Sequence, residues 1–259
     1  MSEEETTLRI RELDLNTIPP SFERMYNPEQ GGVKLVVIGM PGTGKSTLIE
    51  SVLNSKKHVY PMGVVMSGTE DDNKFYGKIF PDTFVFPKLD EGKVEDFIKR
   101  QRLAKKHLKN PWGVLLIDDC TDDPKIFRKP LFQGIFKNGR HWKMMFILSL
   151  QYCMDVLPVI RSAIDGTFIL RESNLKTRKS LWENYAGCIP DFGTFCEIMD
   201  QVTGDRTALF INNMIDTGNW QDRVFWYKAD PSKSSGFRLG CDDFWDFHQA
   251  RFNPDSVVD

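Results

Sequence analysis

Residues 39–46 read Gly-Met-Pro-Gly-Thr-Gly-Lys-Ser, a match to G-x-x-x-x-G-K-[ST]. No other feature of the chain restricts its fold so tightly. A glycine-rich turn of this kind wraps its backbone so that successive N–H groups converge on phosphate oxygens. It does so between a buried strand and a helix, whose positive N-terminal end adds to the attraction. Both flanks are present: residues 34–38 read as a short buried strand and residues 46–53 as a helix. At ordinary residue frequencies, chance gives on the order of 0.01 such matches in a chain this long. Gly39, Met40, Pro41, Gly42, Thr43, Gly44, Lys45, Ser46 and Thr47 are therefore expected to line a nucleotide phosphate site. Lys45 is expected to reach the β- and γ-phosphates of ATP, and the Ser46 hydroxyl to ligate Mg²⁺.

The rest of the chain alternates strands with helices. Further strands are expected at 63–67, 83–86, 113–117, 144–150, 167–170, 208–211 and 224–227. Helices are expected at 91–109, from 124 toward 137 with interruptions at Pro130 and Gly134, at 155–163, 175–186 and 192–203. In the 91–109 helix, Phe97, Ile98, Leu103 and Leu108 fall on or near one face. The pattern predicts an α/β fold, a mostly parallel sheet sandwiched between helices. Residues 1–31 read as an N-terminal arm, 32–231 as the phosphate-loop domain and 232–259 as a C-terminal tail. Leu13, Leu15 and Ile18 of the arm are suited to docking on the body, and so is the aromatic run Phe244-Trp245-Asp246-Phe247 of the tail.

Two strand ends carry the remaining chemistry. Residues 114–119 read Val-Leu-Leu-Ile-Asp-Asp. The carboxyl end of a parallel strand opens onto the ligand crevice of such sheets. Asp118 is expected to hold Mg²⁺, and Asp119 to orient or deprotonate the attacking water. A base beside the metal ligand suits hydrolysis, although Asp122 and Asp123 follow closely as other carboxylates. Residues 146–151 form a buried strand ending in Gln151. In additional-strand phosphate-loop ATPases, such a strand lies between the two motif strands, and its last polar residue senses the γ-phosphate and the water. Arg140 lies in the turn before this strand and is suited to completing a neighbouring subunit's site as an arginine finger. Arg161 is the rival for that role.

Charge sets limits. The 259 residues carry 34 Lys and Arg against 36 Asp and Glu, a net charge of −2, so no whole-chain basic field exists for nucleic acid. Contact with DNA has to come from local patches. The basic stretch 99–109, the 137–143 turn and residues 176–179 are the candidates, each also readable as a solvated face. The five cysteines form no C-x-x-C pair, which points to a reducing, intracellular setting. The longest apolar run, 144–150, is far short of the roughly 20 residues that span a bilayer, so no membrane is expected as a partner.

Taken together, residues 39–47, 114–119, 138–152 and 156–173 resemble the FtsK–HerA superfamily of pumping ATPases, most closely the genome-packaging ATPases of large nucleocytoplasmic DNA viruses of the poxvirus type. The resemblance covers roughly residues 33–173 and implies an additional-strand, RecA-like P-loop NTPase core. It implies Lys45 and Ser46 on phosphates and Mg²⁺, Asp118 as second metal contact, Asp119 as catalytic carboxylate, Gln151 as sensor and Arg140 as finger. Many translocases carry Glu where this chain has Asp119, a carboxylate shorter by one methylene. The implied function is an ATP-driven motor on double-stranded DNA, self-associated into a ring. Capsid or other packaging proteins are its implied partners, and the host cytoplasm or the virion its implied location. Two other classes fit the loop: a nucleotide-dependent assembly factor or switch without translocation, and a small-molecule kinase.

Overall fold

The computed structural model describes residues 9–120, 124–153, 158–234 and 236–252. In chain order its elements are β1 (Arg11–Glu12), β2 (Val33–Ile38), α1 (Lys45–Ser55), β3 (Gly63–Ser67), α2 (Glu70–Asn73), β4 (Val85–Phe86), α3 (Glu91–His107), β5 (Gly113–Asp118) and α4 (Pro130–Asn138). They continue with β6 (Met144–Leu150), α5 (Pro158–Arg161), β7 (Gly166–Ile169), α6 (Leu175–Tyr185), α7 (Phe192–Val202), β8 (Thr207–Asn212), β9 (Val224–Lys228), α8 (Pro231–Ser234) and α9 (Asp242–Arg251).

The nine strands form one sheet in the order β1-β9-β8-β7-β2-β6-β5-β3-β4. Only β8 runs against its neighbours. The strand before the phosphate loop, β2, is separated from the acidic strand, β5, by β6, which pairs in parallel with both. This is the additional-strand arrangement, and it brings the carboxyl ends of β2, β6 and β5 to one edge of the sheet.

Helices cover both faces. Every residue of β2, β5 and β6 is buried, as expected for strands packed on two sides. One core places Val36, Ile117 and Phe146 with Phe97, Phe132, Leu181 and Phe195 from α3, α4, α6 and α7. The other places Leu35, Val37 and Ile147 with Leu48 and Val52 of α1, and with Leu13, Leu15 and Ile18 from the arm. The arm also adds β1, parallel to β9, as an edge strand. Among the described residues, no helix is long and apolar enough to cross a membrane.

Several expectations are corrected. In α3 the buried face is Val94, Phe97, Ile98, Gln101 and Ala104, whereas Leu103 and Leu108 are 58% and 51% exposed. Gln101 takes the inner place because its amide nitrogen donates to the carbonyls of Trp142 and Lys143, both at 2.9 Å. Pro130 does not interrupt a helix but starts one, at a position whose missing N–H needs no partner. A 3-10 turn, Pro124–Arg128, precedes it. The helix expected at 155–163 is the single turn α5; residues 154–157 lie outside the described residues. The C-terminal segment carries α9 and packs on the body, as its aromatic run suggested. Leu239 is fully buried with its N–H on the Ile79 carbonyl, and the Phe244 ring lies 4.5 Å from that of Phe84. Of the basic candidates, Arg178 is buried and paired with Asp200, so it is not a free surface charge.

Candidate nucleotide site

The phosphate loop leaves β2 at Gly39 and enters α1 at Lys45. Gly42 and Gly44 have φ of 78° and 101°, left-handed values that a side chain resists. Gly44 is the N-cap of α1, so the turn aims the free N–H groups of the first helical residues into the loop. Thr43 braces it by donating its hydroxyl to the Met40 carbonyl at 2.7 Å. Lys45 points back into the loop, its Nζ 2.7 Å from the Gly39 carbonyl and 3.3 Å from that of Met40. Burial lowers the Lys45 pKa, and the charges of Asp119 and Asp118 oppose that shift.

Beside the loop is a cavity of about 380 Å³ lined by Pro41, Gly42, Gly44, Lys45, Ser46, Thr47, Thr69, Asn73, Asp118, Asp119 and Arg206. Asp118 ends β5 and is 3% exposed. Asp119 follows with φ of 51°, and its carboxylate turns toward β6. There Gln151 donates its side-chain nitrogen to both Asp119 oxygens, at 2.6 and 2.7 Å. The loop, the acidic pair and the β6 terminus therefore converge on one space. Asp122 and Asp123 lie outside the described residues.

Three groups in this neighbourhood carry no sequence signal. Tyr76 donates its hydroxyl to Asp118 at 2.7 Å and also hydrogen-bonds Ser46. Burial first, and the Asp118 charge next, push its pKa well above the ordinary phenol value, so it stays a donor. Glu70 fixes the Tyr76 segment by accepting from the N–H groups of Tyr76 and Gly77, at 3.0 and 2.8 Å. Arg206 reaches the loop from the turn before β8.

The two arginines expected as fingers lie elsewhere. Arg140 sits in the 3-10 turn Gly139–Trp142, before β6, with its carbonyl bonded to the N–H of Gly32 just ahead of β2. It is thus at the amino ends of the strands, about 20 Å from its own loop at roughly 3.3 Å per strand residue. Its side chain is 56% exposed and 3.8 Å from Asp165, which also pairs with Lys34. Arg161 is at the same end, its guanidinium 5.9 Å from the Tyr185 ring, with Nε and Nη1 buried and without a hydrogen bond among the described residues. The exposed cations Lys105, Lys106, Lys109 and Lys137 also lie at this end, because α3 and α4 finish there before β5 and β6 begin.

The β2-β6-β5 order and the loop with its acidic strand define an additional-strand α/β fold of the P-loop NTPase kind. No protein-family model matches the chain. Relatives are found in viruses: the chain is 48% identical over 246 residues to protein 075L of Invertebrate iridescent virus 6, covering 94% of this chain and 95% of that one. It is 46% identical to protein 088R of Invertebrate iridescent virus 3, over 92% of each chain. It is 39% identical to protein 015R of Frog virus 3, over 92% of this chain and 74% of that one. The chain belongs to this family of large-DNA-virus proteins. In fold it is similar to B204, the DNA-packaging ATPase of Sulfolobus turreted icosahedral virus, with TM-score 0.53 and 16% identity over 79% of this chain and 99% of that one. The conjugation coupling protein TcpA gives a TM-score of 0.52 at 14% identity, over 78% of this chain and 62% of that one.

Proposed function

We propose that this protein is an ATP-hydrolysing motor that assembles as a ring and moves double-stranded DNA in viral genome packaging. The observation that carries the reading is the contact between Gln151 and Asp119 beside Lys45, which suits water activation better than transfer to a second substrate. In this mechanism the N–H groups of the loop and Lys45 hold the β- and γ-phosphates. Asp119 accepts the proton of the attacking water, and Gln151 orients both. Ser46 and Asp118 offer oxygen donors of the kind Mg²⁺ prefers, and Tyr76 fixes both of them. Mg²⁺ would supply charge neutralisation on the phosphates.

Arg140 fits the reading as a group acting on a neighbouring subunit's γ-phosphate, since its own loop is a sheet length away. Residues 32–231 are the ATPase domain of this motor, with 1–31 and 232–259 as its arm and tail. Duplex DNA would be held through its phosphates by the basic end of the molecule, without reading of sequence. Capsid or other packaging proteins complete the machine, in the host cytoplasm or the virion. The similarity in fold to a viral packaging ATPase supports this assignment.

The test is the ATPase rate with and without duplex DNA, alongside mass by light scattering. A motor shows DNA-stimulated hydrolysis by an oligomer. Slow hydrolysis indifferent to DNA would make the protein a nucleotide-dependent assembly factor. Turnover only with a small acceptor, by a monomer, would make it a kinase.

A further inference from the structure

Arg206 occupies a turn whose backbone is unsuited to it. Gly204 and Thr207 form an antiparallel bridge, with the N–H of Thr207 donating to the Gly204 carbonyl at 2.8 Å. The two residues between them, Asp205 and Arg206, both have positive φ, at 42° and 62°. Two consecutive left-handed residues make a turn of the type I′ kind, which favours Asn-Gly. Asparagine and aspartate tolerate this region through local hydrogen bonding, but arginine has no such compensation. Backbone held in an unfavourable region points toward a use for the side chain that it presents.

The side chain is presented to the phosphate loop. A Cβ built on Gly44 would lie 3.1 Å from Arg206 Cγ and 3.3 Å from its Cβ, so Arg206 packs directly over the residue that caps α1. Arg206 lines the 380 Å³ cavity with Lys45 and Asp118, and it also lines an adjoining cavity of about 360 Å³ with Thr43 and Arg171. The turn is anchored on its other side. The Ala229 N–H donates to the Arg206 carbonyl at 3.1 Å, and Asp205 pairs with Lys228 at 2.7 Å. Asp205 is hydrogen-bonded to Lys228, and the Arg206 charge is only a lesser influence on it. Among the described residues, the guanidinium of Arg206 forms no hydrogen bond or ion pair. Arg171, at the end of β7, adds a second cation on the same flank.

The acidic pair and Gln151 stand on the β5-β6 side of the loop, whereas Arg206 and Arg171 come from the β7-β8 side. A phosphate chain seated on the loop therefore has carboxylates on one flank and guanidinium groups on the other. We propose that Arg206 is a nucleotide-binding residue that contacts the phosphate chain within its own subunit, on the side away from Asp118 and Asp119. This rests on the nucleotide reading above. It adds an arginine distinct from Arg140, one that acts in cis and needs no ring. The planar, five-donor guanidinium matches phosphate oxygens in a way an ammonium does not.

The experiment is competition of ADP and of adenosine against a fluorescent ADP analogue bound to the full chain, with thermal melting of each variant. Arg206→Ala is expected to weaken ADP about tenfold, the scale of one lost charge-assisted hydrogen bond, and to leave adenosine unchanged. Arg206→Lys should recover only part of the loss. Arg206→Gly is expected to weaken ADP as much as Arg206→Ala, yet to melt roughly 2–4 °C higher because the turn is relaxed. ADP affinity within twofold of wild type in Arg206→Ala would overturn the proposal, as would an equal loss for adenosine. A lower melting temperature in both Arg206→Gly and Arg206→Ala would make Arg206 a packing residue and overturn it too. Equal ADP binding by wild type and Lys45→Ala would remove the phosphate-loop reading itself, and this contact with it.

Discussion

The side-chain nitrogen of Gln151 bridges the two carboxylate oxygens of Asp119, at 2.6 and 2.7 Å. The bridge ties the end of β6 to the residue after β5, so the proposed sensor and the proposed base are held together. The left-handed backbone of Asp119 sets the direction of its side chain, and the bridge fixes its carboxylate against Gln151. Asp119→Asn is expected to bind ATP and to lose roughly 10²–10⁴ in turnover, since an amide cannot accept the proton. Gln151→Ala should lose less and should keep ATP affinity. Steady-state hydrolysis with a parallel binding assay checks both, and wild-type turnover in Asp119→Asn would move the catalytic role to another carboxylate.

Tyr76 reaches both Asp118 and Ser46, so its hydroxyl governs the proposed Mg²⁺ site without itself being a ligand. Tyr76→Phe keeps the buried ring and removes only that group. The half-saturating Mg²⁺ concentration for hydrolysis should rise about tenfold, with turnover restored at high Mg²⁺. A Mg²⁺ titration superimposable on wild type would leave Tyr76 with a packing role.

Arg140 lies at the far end of the sheet from its own loop. Arg140→Ala should therefore bind ATP nearly normally and lose turnover by about 10³-fold or more, as for other fingers supplied in trans. Mixing Arg140→Ala with Lys45→Ala subunits, each inactive alone, should restore activity at interfaces that join an intact loop to an intact arginine. Absence of recovery in demonstrably mixed assemblies would exclude Arg140 as the finger.

The exposed basic end of α3 is open to a similar test. DNA affinity should fall steeply with salt as counterions are released. Replacing Lys105 and Lys106 with alanine is expected to reduce the slope of log affinity on log salt by up to about two. An unchanged slope would assign these lysines to a solvated face.

Lys56 links the arm to the body. It is 1% exposed, and its Nζ donates to the Ile18 carbonyl at 2.6 Å. Burial lowers its pKa from 10.5 to about 8, against the pull of Asp14. Between those values the unfolded chain holds more protons than the folded one, so this group's contribution to stability rises with pH across that window. Below pH 8 the full cost of burying the charge is present. In urea unfolding, the stability of wild type relative to Lys56→Met should increase by up to about 3 kcal/mol from pH 8 to 10.5. A difference independent of pH would mean that Lys56 titrates as an ordinary lysine.

The sequence carried the phosphate loop, its flanking strand and helix, and the strands that end in Asp118-Asp119 and Gln151. Each is a contiguous segment whose apolar run and terminal polar residue are set by local chain geometry. The same holds for most helix starts, such as α3 behind its Asp90 cap. The α3 face was misjudged at Leu103 and Leu108 because periodicity shows that a helix has an inner face but not what opposes it. Gln101 won an inner place through carbonyls of a distant turn. Folding alone set Tyr76 on Asp118 and Arg206 over Gly44. Those relationships join elements far apart in the chain, through strand order and crossover connections, and no spacing of residues along a sequence records which strand lies beside which.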